Sequence, residues 1–239
     1  MPPTPVQTPV SSPPTVRRPR PLVQLGALIW KDLQTERRTR EIVLTTAVFA
    51  ALALLIFVFA FDLRVENRRA VAPGMLWVTV TFATLLALGR TYASEKDQGT
   101  LEYLLTTPVD RSLLYLARLL ATLVFLLVAD VLTLGLAGLF FDLPLLTPGL
   151  LATVFLGTLG FASVGTLFAA MAANTRAREV LLPVLLLPVS VPVVIASVQA
   201  TAADLGGAAG DHPWLGLLLA FDGLFLGLSA LLFEHVLED

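Results

Sequence analysis

The chain has 239 residues, of which 56% are hydrophobic and only 14% are charged, and its mean hydropathy is +0.81. Soluble globular domains carry about 25% charged residues, so this much apolar surface requires lipid as its solvent. The net charge of −2 argues against nucleic-acid binding. The sequence contains no cysteine and no G-x-x-x-x-G-K-[ST] loop, which excludes disulfides, thiol chemistry and ATP binding by that loop.

The first 21 residues form a proline-rich tail. Each proline removes a backbone donor and fixes φ, so this segment is predicted to be disordered. It also lacks the long apolar run of a signal peptide. The prolines are Pro2, Pro3, Pro5, Pro9, Pro13, Pro14, Pro19 and Pro21.

Residues 22–41 have the pattern of an amphipathic helix. Leu22, Leu25, Ile29 and Leu33 recur at helical spacing and form one apolar stripe. Placed just before an apolar segment, such a helix is predicted to lie flat in the lipid headgroup layer. The alternative is a soluble amphipathic helix docked on a partner. The charged residues of this entry helix are Lys31, Asp32, Glu36, Arg37, Arg38, Arg40 and Glu41.

Six apolar segments follow. The first is a run of 20 residues without a charge, which at ~1.5 Å per residue crosses a ~30 Å hydrocarbon core. Residues 234–239 remain as a short C-terminal end. The predicted fold is therefore an all-α polytopic membrane protein, with spans at residues 42–61, 74–89, 113–141, 150–173, 180–198 and 214–233.

The distribution of basic residues predicts the orientation. Twelve Lys and Arg residues lie before the first span, between spans two and three, and between spans four and five. The opposite side has only Arg64, Arg68 and Arg69. Since basic residues are enriched in cytoplasmic segments, both termini are predicted to be cytoplasmic, in a bacterial inner membrane.

The cytoplasmic loop of residues 91–112 predicts a short amphipathic helix. Gly99 permits a turn, Thr100 can cap a helix, and Glu102 lies in the first turn, where the helix dipole favours an anion. Pro108 ends the helix. Its apolar face consists of Leu101, Leu104 and Leu105. Without further information, a solvated turn is an equal alternative.

Three stretches resemble a known family. The sequence from Glu95 to Leu105, EKDQGTLEYLL, followed by PVDR ending at Arg111, resembles the E-x-x-x-G-T-L-E-x-L-L…P-x-x-R pattern of ABC-2-type permeases. The entry segment from Lys31 to Glu41 is similar to that of the haem exporter B family, the CcmB proteins of cytochrome c maturation. The stretch from Asn174 to Pro183 resembles that family's loop between spans four and five.

The resemblance implies the fold of a type V exporter-like permease and a non-catalytic role. It implies that the loop helix is a coupling helix seated on a separate ATPase, the A subunit. It also implies association with a haem-handling C subunit, a small D subunit and a second copy of the chain, in a complex that couples ATP hydrolysis to release of a haem-loaded chaperone. No cofactor is expected to bind directly, and haem is the expected cargo. The implied coupling residues are Glu95, Gly99, Thr100, Leu101, Glu102, Leu105, Pro108 and Arg111.

Two carboxylates lie inside the apolar segments. A charge at the bilayer centre costs ~2.5–3.5 kcal/mol on insertion scales, so Asp130 and Asp222 should face protein, water or a partner. They are candidates for a substrate path or for titration, and the alternative is a structural hydrogen bond. They can share a site only if their helices touch.

Three further features allow more than one interpretation. Pro183, Pro188 and Pro192 interrupt the fifth span and favour a static kink over a hinge. Gly223 and Gly227 favour close helix packing, with a dimer contact as the alternative. The two histidines, His212 and His235, are weak candidates for haem iron ligands.

Two other functions remain open at this stage. A permease of the same fold could export a drug or a lipid instead of haem. An ion-driven carrier could use Asp130 and Asp222, but such carriers have inverted repeats, which this sequence does not show.

Overall fold

The computed structural model describes residues 26, 30, 41–61, 65–97, 111–143, 146–172, 178–207 and 213–236. All regular structure in these ranges is helical, and each of the six long helices contains a stretch long and apolar enough to cross a membrane. The predicted all-α polytopic fold with six spans is confirmed. The helices are α1 (Glu41–Ala60), α2 (Val65–Asp97), α3 (Arg111–Phe141), α4 (Pro148–Ala172), α5 (Arg178–Leu205) and α6 (Pro213–Val236).

Helix α2 is longer at both ends than its apolar sequence suggests. The sequence places the start of this span after Pro73, whereas the helix begins at Val65 and runs through Pro73. Pro73 removes only the bond to the carbonyl of Arg69, and Arg69 is exposed at the end of the span, where water can replace that bond. At its other end, α2 continues eight residues past the apolar stretch, from Gly89 to Asp97, or about 12 Å.

Helix α5 runs without interruption through its three prolines. It extends from Arg178 to Leu205, seven residues beyond the predicted end of the span, with Pro183, Pro188 and Pro192 inside it. The prolines therefore do not divide the span into separate helices. Each still lacks the N–H group that would bond to the carbonyl four residues earlier.

A polar cap fixes the start of α4. Thr147 lies just before Pro148, and its hydroxyl accepts a hydrogen bond from the backbone N–H of Leu150 at 3.3 Å. The same hydroxyl donates to the carboxylate of Asp204 in the last turn of α5. A Cβ atom at Gly149 would overlap this carboxylate, so the close approach of α5 to the start of α4 requires glycine there.

Helix α4 is the centre of the bundle. It contacts α2, α3, α5 and α6, whereas α1 contacts only α2 and α3 among the described helices. The apolar stretches of α4 and α2 are mostly buried, whereas only 17% of the stretches of α1 and α6 is buried. Large fully buried side chains fill the space around α4, including Trp77, Leu88, Phe161, Leu186 and Leu218.

Glycines let the neighbours approach α4 closely. A Cβ atom at Gly157 would lie 2.6 Å from Cη2 of Trp77, and one at Gly165 would lie 2.7 Å from Cδ1 of Leu88. Real Cβ atoms do not approach other atoms this closely, so two side chains of α2 pack directly on the backbone of α4, at two levels. This is the packing that small residues permit in membrane helices.

Replacing Gly157 with alanine should therefore destabilise the bundle. The new methyl group must displace the fully buried Trp77, and overpacking of this kind costs about 1–3 kcal/mol. Thermal unfolding of the purified protein in detergent measures the effect. Gly227→Ala is the matched control, since no atom lies within 4 Å of its Cβ position. Equal stability of the two variants would contradict this packing.

Candidate functional site

Most residues of the two predicted cytoplasmic sites lie outside the described residues. In the coupling loop these are Gly99, Thr100, Leu101, Glu102, Leu105 and Pro108. In the entry helix they are Lys31, Asp32, Glu36, Arg38 and Arg40. The structure places Glu95 in the last turn of α2, Arg111 at the start of α3 and Glu41 at the start of α1. In the entry segment, Gly26 and Trp30 are described, and both are helical and exposed. The roles of these residues stay predictions.

The two intramembrane carboxylates both lie inside the bundle, close to α4. Asp130 of α3 is 1% exposed and Asp222 of α6 is 3% exposed. Asp130 lies eleven residues before the end of α3 and Asp222 nine residues after the start of α6. These offsets correspond to about 16 Å and 13 Å along the helices, near the middle of a ~30 Å hydrocarbon core.

Asp130 has a hydrogen-bond partner on α4. The Thr158 hydroxyl lies 2.6 Å from Oδ2 of Asp130 and also 2.6 Å from the carbonyl oxygen of Val154. A hydroxyl has one hydrogen, so it donates to only one of these two acceptors at a time. A protonated Asp130 could donate to Thr158 Oγ1 while Thr158 donates to Val154. This contact fastens α3 to α4 at mid-membrane depth.

Asp222 sits against a gap in the α4 surface. Its Oδ1 atom lies 3.0 Å from the position that a Cβ atom of Gly160 would take, beside Val193 and Phe221. Neither carboxylate oxygen has a hydrogen-bond partner among the described residues. The buried carboxyl group therefore fits because Gly160 has no side chain, and no hydrogen-bond donor of the described residues pairs with it.

The two carboxyl groups approach α4 from nearly opposite sides. Thr158 and Gly160 are two residues apart, which is a rotation of about 200° on a helix with 3.6 residues per turn. Helices α3 and α6 do touch each other, the condition for a shared site. Helix α4 nevertheless lies between Asp130 and Asp222, so the contacts do not join them in a single site.

Further polar contacts continue this pattern toward the other end of α4. Ser229 of α6 donates to the backbone carbonyl oxygen of Ser163 at 3.5 Å, and its side chain lies beside Tyr115 of α3. We use the name α4 polar cluster for the buried polar residues around this helix, which lie on different sides of it and do not form one connected site: Asp130, Thr158, Ser163, Asp222 and Ser229. It links the three helices α3, α4 and α6 at two levels within the membrane.

The sequence interpretation also missed a buried hydrogen bond between α2 and α5. Nε1 of Trp77 in α2 donates to Oγ1 of Thr201 in α5 at 2.9 Å, across 124 residues of chain. The signal was a tryptophan in the middle of an apolar span, because a buried indole N–H needs an acceptor. The sequence contained no information that would select Thr201 among the many Ser and Thr residues of the other spans.

The two histidines and the Gly223–Gly227 pair, which the sequence singled out, have different outcomes in the structure. His212 lies outside the described residues, and His235 is in the last turn of α6. In the part of the chain that the structure describes, no group of three or more His, Asp or Glu side chains could hold a metal ion. Gly223 and Gly227 are exposed, and no atom of the described residues lies within 4 Å of either Cβ position. The prediction that they pack closely is therefore wrong for the described helices of this chain.

This arrangement defines a class of protein: a multi-pass α-helical membrane protein that buries polar side chains around one central helix. The CcmB protein family matches residues 23–238. Since this match covers nearly the whole chain, the chain belongs to the CcmB family, as the three sequence stretches indicated.

Individual relatives agree with the family match. The chain is 32% identical to heme exporter protein B of Pseudomonas aeruginosa over 176 residues, which cover 72% of this chain and 79% of the relative. It is 28% identical to heme exporter protein B of Bradyrhizobium diazoefficiens over 189 residues, covering 78% and 84%. It is 35% identical to heme exporter protein B of Paracoccus denitrificans over 153 residues, covering 62% and 67%.

The contact between Asp130 and Thr158 predicts the effect of Thr158→Val. This substitution keeps the side-chain shape but leaves a buried carboxyl group without its partner, which costs about 1–3 kcal/mol. Thermal unfolding in detergent checks it. Asp130→Asn is the control, since the amide can still bond to Thr158 Oγ1 and should retain most of the stability. A Thr158→Val protein as stable as the unmodified chain would contradict the contact.

Asp222 predicts the opposite result. Asp222→Asn removes a charge from mid-membrane depth without breaking a hydrogen bond to a described residue, so stability should be unchanged or higher. The measurement is the same thermal unfolding, accompanied by a transport assay. A loss of stability as large as that of Thr158→Val would show that Asp222 has a structural partner. Lost transport with retained stability would assign Asp222 to transport itself.

Proposed function

We propose that this chain is the membrane-spanning, non-catalytic permease subunit of a haem exporter, driven by a separate ATPase. One observation carries the proposal: residues 23–238 match the CcmB family, and relatives at 28–35% identity are named heme exporter protein B. Six membrane-spanning helices agree with a permease role. The relatives' names favour haem over a drug or a lipid as the cargo.

The proposed docking surface for the ATPase is the segment between α2 and α3. Helix α2 continues about 12 Å beyond its apolar stretch and ends at Asp97, and α3 begins at Arg111. The segment with the coupling pattern thus joins two helices that both contact α1 and α4. A force applied to this segment would act on α3, the helix that carries Asp130 of the α4 polar cluster.

The remaining assignments follow from the family and the charge distribution. We infer an inner-membrane location with both termini cytoplasmic, because the basic residues concentrate on that side. Proposed partners are the A-type ATPase, the haem-handling C subunit, the small D subunit and a second copy, acting in cytochrome c maturation. Haem is the proposed cargo and ATP acts through the partner. The relatives named heme exporter protein B give no support to an ion-driven carrier.

Co-purification from the native membrane tests the proposal. An ATPase should purify with the unmodified chain, and Glu102→Arg or Pro108→Leu should abolish its recovery by changing the coupling segment. Glu66→Arg is the matched control, since it makes the same charge reversal at the opposite end of α2. Each variant is first checked for membrane insertion and thermal stability.

Three results would contradict the proposal. The first is an unmodified chain that binds no ATPase in any preparation. The second is a loss of ATPase recovery with Glu66→Arg and not with Glu102→Arg. The third is a purified complex that carries an ATPase but shows no haem absorbance when loaded with haem, which would remove haem as the cargo and leave the ATPase assignment intact.

A further inference from the structure

Two hydrogen bonds join described side chains of α5 to other helices, and both lie at one end of α5. Nε1 of Trp77 in α2 donates to Oγ1 of Thr201 at 2.9 Å, and Thr147, which caps α4, donates to Asp204. Successive spans alternate in direction, so both acceptors lie on the side of the membrane opposite to the proposed ATPase-docking segment. We call residues 201–205, with which α5 ends, the far end of α5.

The indole ring of Trp77 packs between α4 and α5. Its Cη2 atom lies 2.6 Å from the position that a Cβ atom of Gly157 would take, and Oγ of Ser197 in α5 lies 3.0 Å from the same position. Trp77 and Thr201 both have 0% exposure. Because a buried indole N–H without an acceptor is costly, Trp77 and Thr201 are expected to move together.

Helix α2 connects this contact to the docking segment. It is continuous from Val65 to Asp97, and its one proline, Pro73, precedes Trp77. Trp77 lies twenty residues before Asp97, which is about 30 Å along the helix axis. Sharp bends in helices occur chiefly at proline, and none lies between these two residues. A displacement of α2 at the docking segment is therefore expected to reach the level of Trp77.

We propose that Trp77 is a positioning residue that ties the far end of α5 to α2, so that movement of α2 by a docked ATPase changes the position of this end. The inference rests on the proposed function, since it requires an ATPase on the docking segment. The contact between Thr147 and Asp204 holds the same end against the start of α4. Because α5 is bonded to both neighbours there, a shift of α2 relative to α4 cannot leave both contacts as they are.

A single reporter cysteine tests whether the far end of α5 moves, and the chain is suited to it because it contains no cysteine. Ala203→Cys places the thiol at a half-buried position of the far end. The full-length chain is purified with its ATPase and placed in lipid nanodiscs, where both membrane faces are accessible. The rate of thiol labelling by a water-soluble maleimide is measured without nucleotide and with ATP and vanadate, a phosphate analogue that arrests ABC ATPases during hydrolysis.

Four substitutions, each combined with the reporter, separate the hydrogen bond from the packing. Trp77→Phe keeps an aromatic ring and removes the N–H donor, Thr201→Val keeps the side-chain shape and removes the acceptor, and Thr201→Ser keeps the acceptor. Thr79→Val is the matched control for Thr201→Val. Thr79 is also buried, but its hydroxyl donates to the carbonyl oxygen of Met75 in its own helix and joins no two helices. Thermal unfolding and ATPase recovery are measured for each variant.

ATP and vanadate should change the labelling rate in the reporter chain and in its Thr201→Ser and Thr79→Val variants. The change should be lost in Trp77→Phe and in Thr201→Val while the ATPase stays bound and hydrolyses ATP. The double variant Trp77→Phe/Thr201→Val should lose no more than either single variant, because both remove the same bond. If Trp77→Phe does not fold, Thr201→Val against Thr201→Ser decides the question.

Three results would overturn the inference. The first is a reporter chain whose labelling does not respond to nucleotide although its ATPase hydrolyses ATP. The second is a full response in Thr201→Val. The third is a loss of the response in Thr79→Val as well, which would assign the effect to any missing buried hydroxyl. All three leave the ATPase bound and the proposed function intact, whereas a chain that recovers no ATPase contradicts the proposed function itself.

Discussion

Three glycines on α4 determine how closely side chains of its neighbours α2 and α6 can pack against it. Glycine at 157, 160 and 165 leaves room on α4 for Trp77, Asp222 and Leu88, respectively. A methyl group at any of these positions would meet a neighbouring side chain at 3.1 Å or less. Because there is little hydrophobic driving force between helices in lipid, such close packing and interhelical hydrogen bonds must supply the association energy. The Trp77–Thr201 and Asp130–Thr158 contacts are two of these interhelical hydrogen bonds.

The α4 polar cluster differs between the two sides of α4. Asp130 is bonded to Thr158, so α3 and α4 are fastened together at mid-membrane depth. Asp222 is buried without a described partner, so α6 rests on α4 through shape alone at that level. At this level the α3–α4 contact includes a hydrogen bond, whereas the carboxyl group of Asp222 has no partner among the described residues. Helix α3 is also the helix that begins next to the proposed ATPase-docking segment.

The exposed faces of the helices differ in how well they suit lipid. The described exposed residues of α1 and α6 within their spans are apolar or glycine, so these faces are compatible with lipid. Helix α5 differs, because its exposed residues include Gln199 and the prolines Pro188 and Pro192, which lack backbone donors.

The sequence by itself determined the number of spans, the helical class and the family, because a 20-residue apolar run has only one stable form in lipid and because three local motifs are specific. It also indicated that Asp130 and Asp222 face inward, since a charge in lipid is costly. It did not determine the limits of α2, which begins before Pro73, or of α5, which continues past residue 198 to Leu205. Only the tertiary structure decided which residues meet. It placed Asp222 against Gly160, and among the described residues it left no atom within 4 Å of the Cβ position of Gly223. It also placed α4 between the carboxyl groups of Asp130 and Asp222. Those outcomes depend on helix rotation and neighbour identity, and an apolar span carries little of that information in its own residues.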